Sequence, residues 1–456
     1  MKNIKIVAPR TLSGFMELAP RKQVQFDAIQ AVMRDTFLLY GFTPLDTPLL
    51  ESSEVLLAKG GGETDKQMYR FVRGEHDLAL RFDLTVPLAK YVAANCERLA
   101  FPFRRFQFGK VYRGERAQRG RFREFYQADI DVVGDGDLGA INEAEIPGVI
   151  YKCFTALGLN RFVIRINNRK ALSGLLEVFG LSKRAAEIMR ALDKLEKIGA
   201  DKTRELLTDA LGVPAAAADE LLSLLTRRGD ALAALSVYSG KSATLDRGVS
   251  ELGEVARYLG AFGVPETHFE IDLSVARGLD YYTGAVYETR LLDHPEIGSI
   301  CSGGRYDDLA SHFTDKKRLP GVGVSIGLTR LFYVLNEQGY LNKEMLTAPA
   351  DVLIIPMTDD LSGAVSLATT AREAGIRVMI YGEDRKFKAK LAYADKLGIP
   401  FTVFLGEDEI SSGKITVKDM ATGEQTTASP AILCEGIREK LHSLRAVAPV
   451  SEKTGI

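Results

Sequence analysis

Cysteine is scarce. Only four occur in 456 residues (Cys96, Cys153, Cys301 and Cys434), far apart and without CxxC spacing. This excludes a disulfide framework. The five histidines are equally scattered, so no zinc or other metal site is expected. No apolar run approaches the roughly 18 residues of a membrane span, and the N-terminus lacks a signal peptide's apolar segment. A cytoplasmic protein with no membrane partner is expected. An excess of charge is missing too. The formal net charge is -1, so any contact with nucleic acid has to come from local patches. Neither GxxxxGK[ST] nor GxGxxG occurs, which removes Walker and Rossmann nucleotide sites. No Ser–His–Asp or Cys–His arrangement stands out, so catalysis would rest on positioning and electrostatics.

What is present is an ordinary globular composition, 46% hydrophobic and 26% charged, long enough for roughly three domains. The most informative stretch runs from Arg104 to Gly134. It reads as two strands, Arg105–Tyr112 and Phe125–Val133, joined by an arginine-rich connection. A period of two on the second strand puts Tyr126, Ala128, Ile130 and Val132 on one face and Phe125, Gln127, Asp129 and Asp131 on the other. The first face is core. The second suits the floor of a polar pocket, because unpaired buried polar groups are costly. The connection Arg113–Glu124 holds five arginines, two glutamates and no lysine. Guanidinium grips phosphate bidentately where lysine is only a point charge.

Elsewhere the pattern predicts an amphipathic helix over 22–40 (Phe26, Ile29, Met33, Phe37) that stops at Gly41. A two-proline edge strand, Phe42–Leu50, follows. The glycine run 59–62 reads as a mobile loop. LALRFDLTVP reads as a half-buried strand with Leu78, Leu80 and Phe82 on one face, then a helix from Val86 capped by Thr85. Helices are predicted at 170–179, 183–197, 202–211, 215–226 and 245–262, with Ser182 and Asp201 as N-caps. Strands Phe269–Ala276 and Ala285–Leu292 read as a hairpin around the turn RGLDYYTG. A strand at 298–303 and a glycine-spaced strand changing to a helix near Gly327 complete one mainly antiparallel sheet. After a linker at 336–350, strands and helices alternate in a small α/β domain with a basic cluster at Arg385, Lys386, Lys388 and Lys390. The tail from Ala446 reads as disordered. The domains are then 1–169 and 265–340, split by a helical insertion at 170–264, and 350–445.

FRRFQFGKVYRGERAQRGRFREFYQADIDVVG resembles the second signature motif of the class II aminoacyl-tRNA synthetases, in the form seen in histidine–tRNA ligases. LDTPLLE resembles the loose first motif. GVGVSIGLTR resembles the third, whose arginine falls on Arg330, with Thr329 where glutamate is usual. RGLDYYTG and SGGRYD look like that family's histidine signatures, and KLAYADKLGIPFTVFLGEDE like its anticodon-binding domain.

The resemblance implies an α+β fold: an antiparallel sheet flanked by helices, a helical insertion and a C-terminal α/β anticodon-binding domain. It implies a homodimer that joins L-histidine to tRNA(His) through a histidyl-adenylate, using ATP with Mg2+ held mainly by the nucleotide. Asp83, Thr85 and Gln127 would hold the α-amino group of histidine. Asp131 and Tyr282 would contact its ring nitrogens, and Tyr281 would line the pocket. Arg277 would bridge the histidine carboxylate and the α-phosphate, with Arg113 opposite. Glu115 and Phe125 would receive the adenine, and Arg121 and Arg330 the outer phosphates. The same fold also occurs in a catalytically silent regulatory subunit of histidine biosynthesis, which is the alternative function.

Overall fold

The computed structural model of the chain describes residues 7–58, 63–227, 229–276 and 281–451. The glycine run at 59–62, Arg277 and the end of the tail at 452–456 lie outside the described residues. Two compact units are present. Ala31–Gly339 forms the body of the first, and Leu18–Gln30 with Tyr340–Ser451 forms the second. No described helix is long and apolar enough to cross a membrane.

The first unit opens on the later part of helix Pro20–Leu39, which buries Met33 and Phe37. Phe37 packs on Phe106 and Phe108, with ring centroids 5.8 and 6.0 Å away. Four short strands follow: β1 (Thr43–Pro44), β2 (Leu50–Ser52), β3 (Arg70–Arg73) and β4 (His76–Leu80). Then come β5 (Phe103–Tyr112), β6 (Glu124–Val133), β7 (Phe162–Asn168), β8 (Phe269–Ile271), β9 (Ala285–Leu291), β10 (Cys301–Tyr306) and β11 (Gly321–Ile326). Eight of these form one sheet in the order β1-β5-β6-β11-β10-β9-β7-β8. Its pairs are antiparallel except β1–β5 and β7–β8. Along β6, Ala128, Ile130 and Val132 are fully buried in the core, as the alternation predicts.

Three local readings change. The two-proline segment is not one strand. Only Thr43–Pro44 pairs, at the sheet edge, and Leu50–Ser52 joins a separate sheet ordered β2-β4-β3. Pro44 and Pro48 lack the N–H that a continuous ladder needs. On β4 the buried residue is Ala79, not Leu78 or Leu80, and the strand ends at Leu80. There the Arg81 guanidinium leaves the ladder to donate to Lys110 O (2.7 Å) and Thr47 O (2.6 Å). The segments 269–271 and 285–291 do not form a hairpin. β7 lies between them, parallel to β8 and antiparallel to β9. Its Arg165 is buried and bonded to both sides, donating to Asp272 (2.8 Å) and Glu288 (2.9 Å).

Between β7 and β8 the described residues are helical, from Arg169–Val178 to Ala243–Ala261. Asn168 and Ser242 cap these two helices, accepting from Lys170 N (2.8 Å) and Leu245 N (3.1 Å). Ser182 instead lies within a 3-10 turn and Asp201 in the first turn of a helix, where its charge suits the N-terminal dipole.

The second unit is a five-stranded sheet, β13-β12-β14-β15-β16, made of β12 (Val352–Pro356), β13 (Val378–Ile380), β14 (Phe401–Leu405), β15 (Ile415–Asp419) and β16 (Gln425–Ala428). β13, β12 and β14 run parallel and the rest antiparallel. Alternate residues of β12 face opposite cores. Val352 and Ile354 pack with helices Ser362–Glu373 and Pro430–Arg445, and Leu353 and Ile355 with Ala394 of helix Phe387–Leu397. The described part of the tail, 446–451, is held in place rather than disordered. Val450 is buried and bridges to Leu341, and Ser451 N donates to Tyr340 O (3.0 Å).

Candidate active site

The polar face of β6 continues across its neighbours in rows fixed by register. Arg105, Asp131, Gly323 and Gly304 stand opposite one another on β5, β6, β11 and β10. The two glycines leave room above the backbone. A Cβ at residue 323 would sit 2.0 Å from Asp131 Oδ1, and one at residue 304 would sit 3.0 Å from the Tyr282 ring. Asp131 and Tyr282 therefore lie over this glycine floor. Asp131 Oδ1 accepts from Tyr306 OH (2.8 Å), and Arg105, fully buried, is 2.8 Å from Oδ2. Burial raises the Asp131 carboxyl above its usual range, and Arg105 pulls it back.

The next row holds Gln107, Asp129, Ser325 and Ser302. Gln127 donates to Ser325 Oγ at 2.6 Å. Burial pushes the Asp129 carboxyl up to about 7, against the pull of Arg105. Beside these rows Asp83 is buried, and its Oδ1 accepts from Thr85 N (3.1 Å) and Val86 N (2.9 Å) at the start of helix Thr85–Asn95. The acceptor at this helix entry is therefore Asp83, not the hydroxyl of Thr85. Burial again raises its pKa, offset by those N–H groups and Arg113. Tyr281 is buried and packs edge-on against Tyr282 (4.9 Å) and Tyr306 (6.0 Å).

A cavity of about 140 Å3 opens next to these rows, where Arg113, Glu115, Arg121, Phe125, Gln127 and Arg330 meet. Arg113 lies between the rings of Phe82 (4.5 Å) and Phe125 (5.1 Å), which orients its guanidinium. Arg330 is fixed by Gly120 O (2.9 Å) and Ser299 O (2.6 Å). Burial, then the neighbouring Arg121 and Arg113, bring its pKa down to about 10. Glu115, 3.5 Å from Arg121, is the only carboxylate lining the cavity among the described residues. Such a site attracts polyanions, since an anion relieves the crowding of like charges.

A model of histidyl-tRNA synthetase matches residues 14–331, and a model of an anticodon binding domain matches 351–440. A histidine–tRNA ligase of Clostridium tetani is 49% identical over 427 residues, 93% of this chain and 97% of that protein. One from Xanthomonas campestris pv. campestris is 44% identical over 97% of this chain and 98% of its own. The chain belongs to the histidyl-tRNA synthetase family. The crystal structure of the histidyl-tRNA synthetase from Nostoc sp. PCC 7120 superposes with a TM-score of 0.85 at 38% identity, covering 95% of this chain and all of that one. The antiparallel-rich sheet flanked by helices and the C-terminal α/β domain are thus this family's architecture.

Arg113, Glu115, Arg121, Phe125, Gln127 and Arg330 come together around the cavity. Asp131 and Tyr282 meet on the glycine floor, while Asp83, Thr85 and Tyr281 pack at the helix entry; Arg277 is outside the described residues. Thr329, where synthetases of this class usually carry glutamate, is buried and accepts from Tyr126 N at 2.8 Å, tying its helix to β6. Sequence reasoning missed Arg105, Tyr306 and Ser325. The SGGRYD motif contained a signal for Tyr306. For Arg105 nothing short of the β5–β6 register reveals its partner Asp131.

Proposed function

We propose that this chain is a cytoplasmic, homodimeric enzyme that ligates L-histidine to tRNA(His) through a histidyl-adenylate. The carboxylate of histidine attacks the α-phosphorus of ATP and diphosphate leaves. The acyl group then passes to the terminal ribose of the tRNA, releasing AMP. The reading is supported chiefly by one juxtaposition: the Asp131–Tyr282 pair on the glycine floor stands next to a cavity of three guanidiniums.

Asp131 and Tyr282 hold the two nitrogens of the imidazole ring. A site built on such bonds rejects analogues that leave its polar groups unpaired, by factors of about 10⁴–10⁵. Asp83, Thr85 and Gln127 receive the α-amino group, and Tyr281 closes the pocket. Arg113 and Arg277 grip the α-phosphate and stabilise the charge that builds there. Glu115 accepts from the adenine amino group, Phe125 stacks on the ring, and Arg121 and Arg330 bind the outer phosphates. Mg2+ arrives on the nucleotide and neutralises phosphate charge. The guanidinium-rich lining suits that division of labour.

The C-terminal unit reads the anticodon stem-loop, with exposed Arg385, Lys386 and Lys388 as phosphate contacts. The helical insertion, 170–264, is a separate module within the catalytic part. Dimerisation is supported by the apolar side chains that the edge strands expose, Leu50 on β2 and Phe71 and Val72 on β3. Four buried free thiols suit a reducing compartment.

The test is histidine-dependent ATP–diphosphate exchange. Arg277→Ala should lower its rate by about 10³-fold or more with an unchanged melting temperature. Absence of exchange in the folded, Mg2+-supplied wild type would favour a regulatory protein.

A further inference from the structure

Three buried acceptor atoms on β6 have no hydrogen-bond partner, Gln127 Oε1, Asp129 Oδ1 and Asp131 Oδ2, and the last of these faces the Arg105 guanidinium at 2.8 Å. Asp129 is 2% exposed and Gln127 7%, yet Asp129 Oδ1 and Gln127 Oε1 are both unbonded. They stand two residues apart on one face. Ser325 joins them, since it faces Asp129 across the ladder, accepts from Gln127 Nε2 and lines the cavity. A buried carboxylate oxygen without a donor is unfavourable in isolation, and such groups gather where a ligand completes them.

We propose that Asp129 is a further specificity-determining residue, which forms with Gln127 an acceptor pair for the α-ammonium group of free histidine. This rests on the reading that the chain activates histidine. The choice of nitrogen follows from what neighbouring groups already do. Asp131, the next residue on this face, accepts from Tyr306 through Oδ1 and has its other oxygen in an ion pair with Arg105, over the glycine floor. An ammonium offers three donors in a cone and full charge, which suits converging acceptors of which one is a carboxylate. An imidazole offers its nitrogens on opposite sides of a ring.

Charged and titratable groups surround Asp129 on every side: Arg105 from β5, Asp131 from β6, Asp83 and Arg81 from the segment before helix Thr85–Asn95, Arg113 from the β5–β6 connection, Tyr282, and Cys301 from β10. The carboxyl, pushed up to about 7 in the free chain, accepts an ammonium best when ionised. Its contribution to histidine affinity is therefore present above that value and lost as the pH falls through it. For one such group, the KM for histidine rises about fivefold from pH 7 to pH 6. The imidazole of free histidine titrates in the same range, so the comparison that counts is between wild type and variant.

The experiment compares wild type with Asp129→Asn in histidine-dependent ATP–diphosphate exchange. Imidazolepropionate, which is histidine without its amine, serves as a competing ligand. Asp129→Asn should raise the KM for histidine by about tenfold or more, since a charge-assisted bond becomes a neutral one. The KM for ATP and the inhibition constant of imidazolepropionate should stay within about twofold, and the Asp129 component of the pH profile should vanish. An unchanged KM for histidine, or an equal loss of affinity for the analogue that has no amine, overturns the proposal. If Asp129→Asn does not fold, Ser325→Ala is read in its place with the same two outcomes. A wild type without exchange overturns the functional reading and this proposal together, whereas normal exchange with an unshifted variant overturns the proposal alone.

Discussion

Asp131 lies over β11 because residue 323 has no side chain. In Gly323→Ala the added Cβ would meet Asp131 Oδ1 at 2.0 Å and Ile130 O at 2.6 Å. The backbone oxygen cannot move far, so the carboxylate must leave Tyr306 and Arg105. Overpacking of this kind costs about 1–3 kcal/mol. We expect a lower melting temperature and a KM for histidine raised by about tenfold or more, with a smaller change in the KM for ATP. Steady-state exchange kinetics check it. A variant with wild-type histidine KM would mean that Asp131 does not hold the ring. The neighbouring Asp83 shows that one carboxylate can serve two ends. Its Oδ1 accepts the first N–H groups of helix Thr85–Asn95, so its mutation would disturb that helix start as well as any ligand.

Among the elements, β7 is built around a buried charge. Arg165 is buried among Asp272, Glu288 and Glu196, and the last comes from helix Leu195–Ile198 of the helical region. Arg165→Met would leave Asp272 and Glu288 buried beside no guanidinium of β7. The expected loss is about 3–5 kcal/mol, read from urea unfolding near neutral pH. Burial works to raise the Asp272 carboxyl, but hydrogen bonds from Ser274 and the charge of Arg165 bring it below its usual value. Glu196 is likewise lowered by Arg290 and Arg165, against burial. A carboxyl held low when folded stabilises above its unfolded pKa, about 4, and that gain is lost as the pH falls through the lowered value. The stability gap between wild type and Arg165→Met should thus be widest near neutrality and shrink below about pH 4. A gap independent of pH would assign the loss to packing alone.

The same strand shows where reading from sequence stops. β6 was legible because its two faces differ, three aliphatics against three polar side chains. The helix at 20–39 was legible from Phe26, Ile29, Met33 and Phe37, and the strand-to-helix change at Gly327 from glycine spacing. β7 was not, because Arg165, Asn167 and Asn168 look like surface residues until their partners arrive. Asp272, which pairs with Arg165, is 107 residues away. The arginines, tyrosines and carboxylates of the candidate site were visible through local motifs. Arg105 was hidden because FRRF offers two arginines, and only strand register sends one of them inward.

At the level of the whole molecule, the two compact units divide the work proposed for them. Deleting 350–456 should preserve histidine-dependent exchange but reduce tRNA charging by roughly 100-fold or more, as expected when one of two linked contact regions is lost. Unchanged charging by the truncated protein would remove the anticodon role of the second unit. Leu18–Gln30 packs with that unit and includes the buried Phe26 and Ile29, so the truncation should also lower the melting temperature.

The bare backbone at Gly304 and Gly323 bears on inhibition. A small molecule that bonds to Asp131 and Tyr282 would rely on groups whose seats mutation of the strip cannot alter, since any new side chain there strikes Tyr282 or Asp131. Escape from such a compound would have to be found at the rim of the pocket.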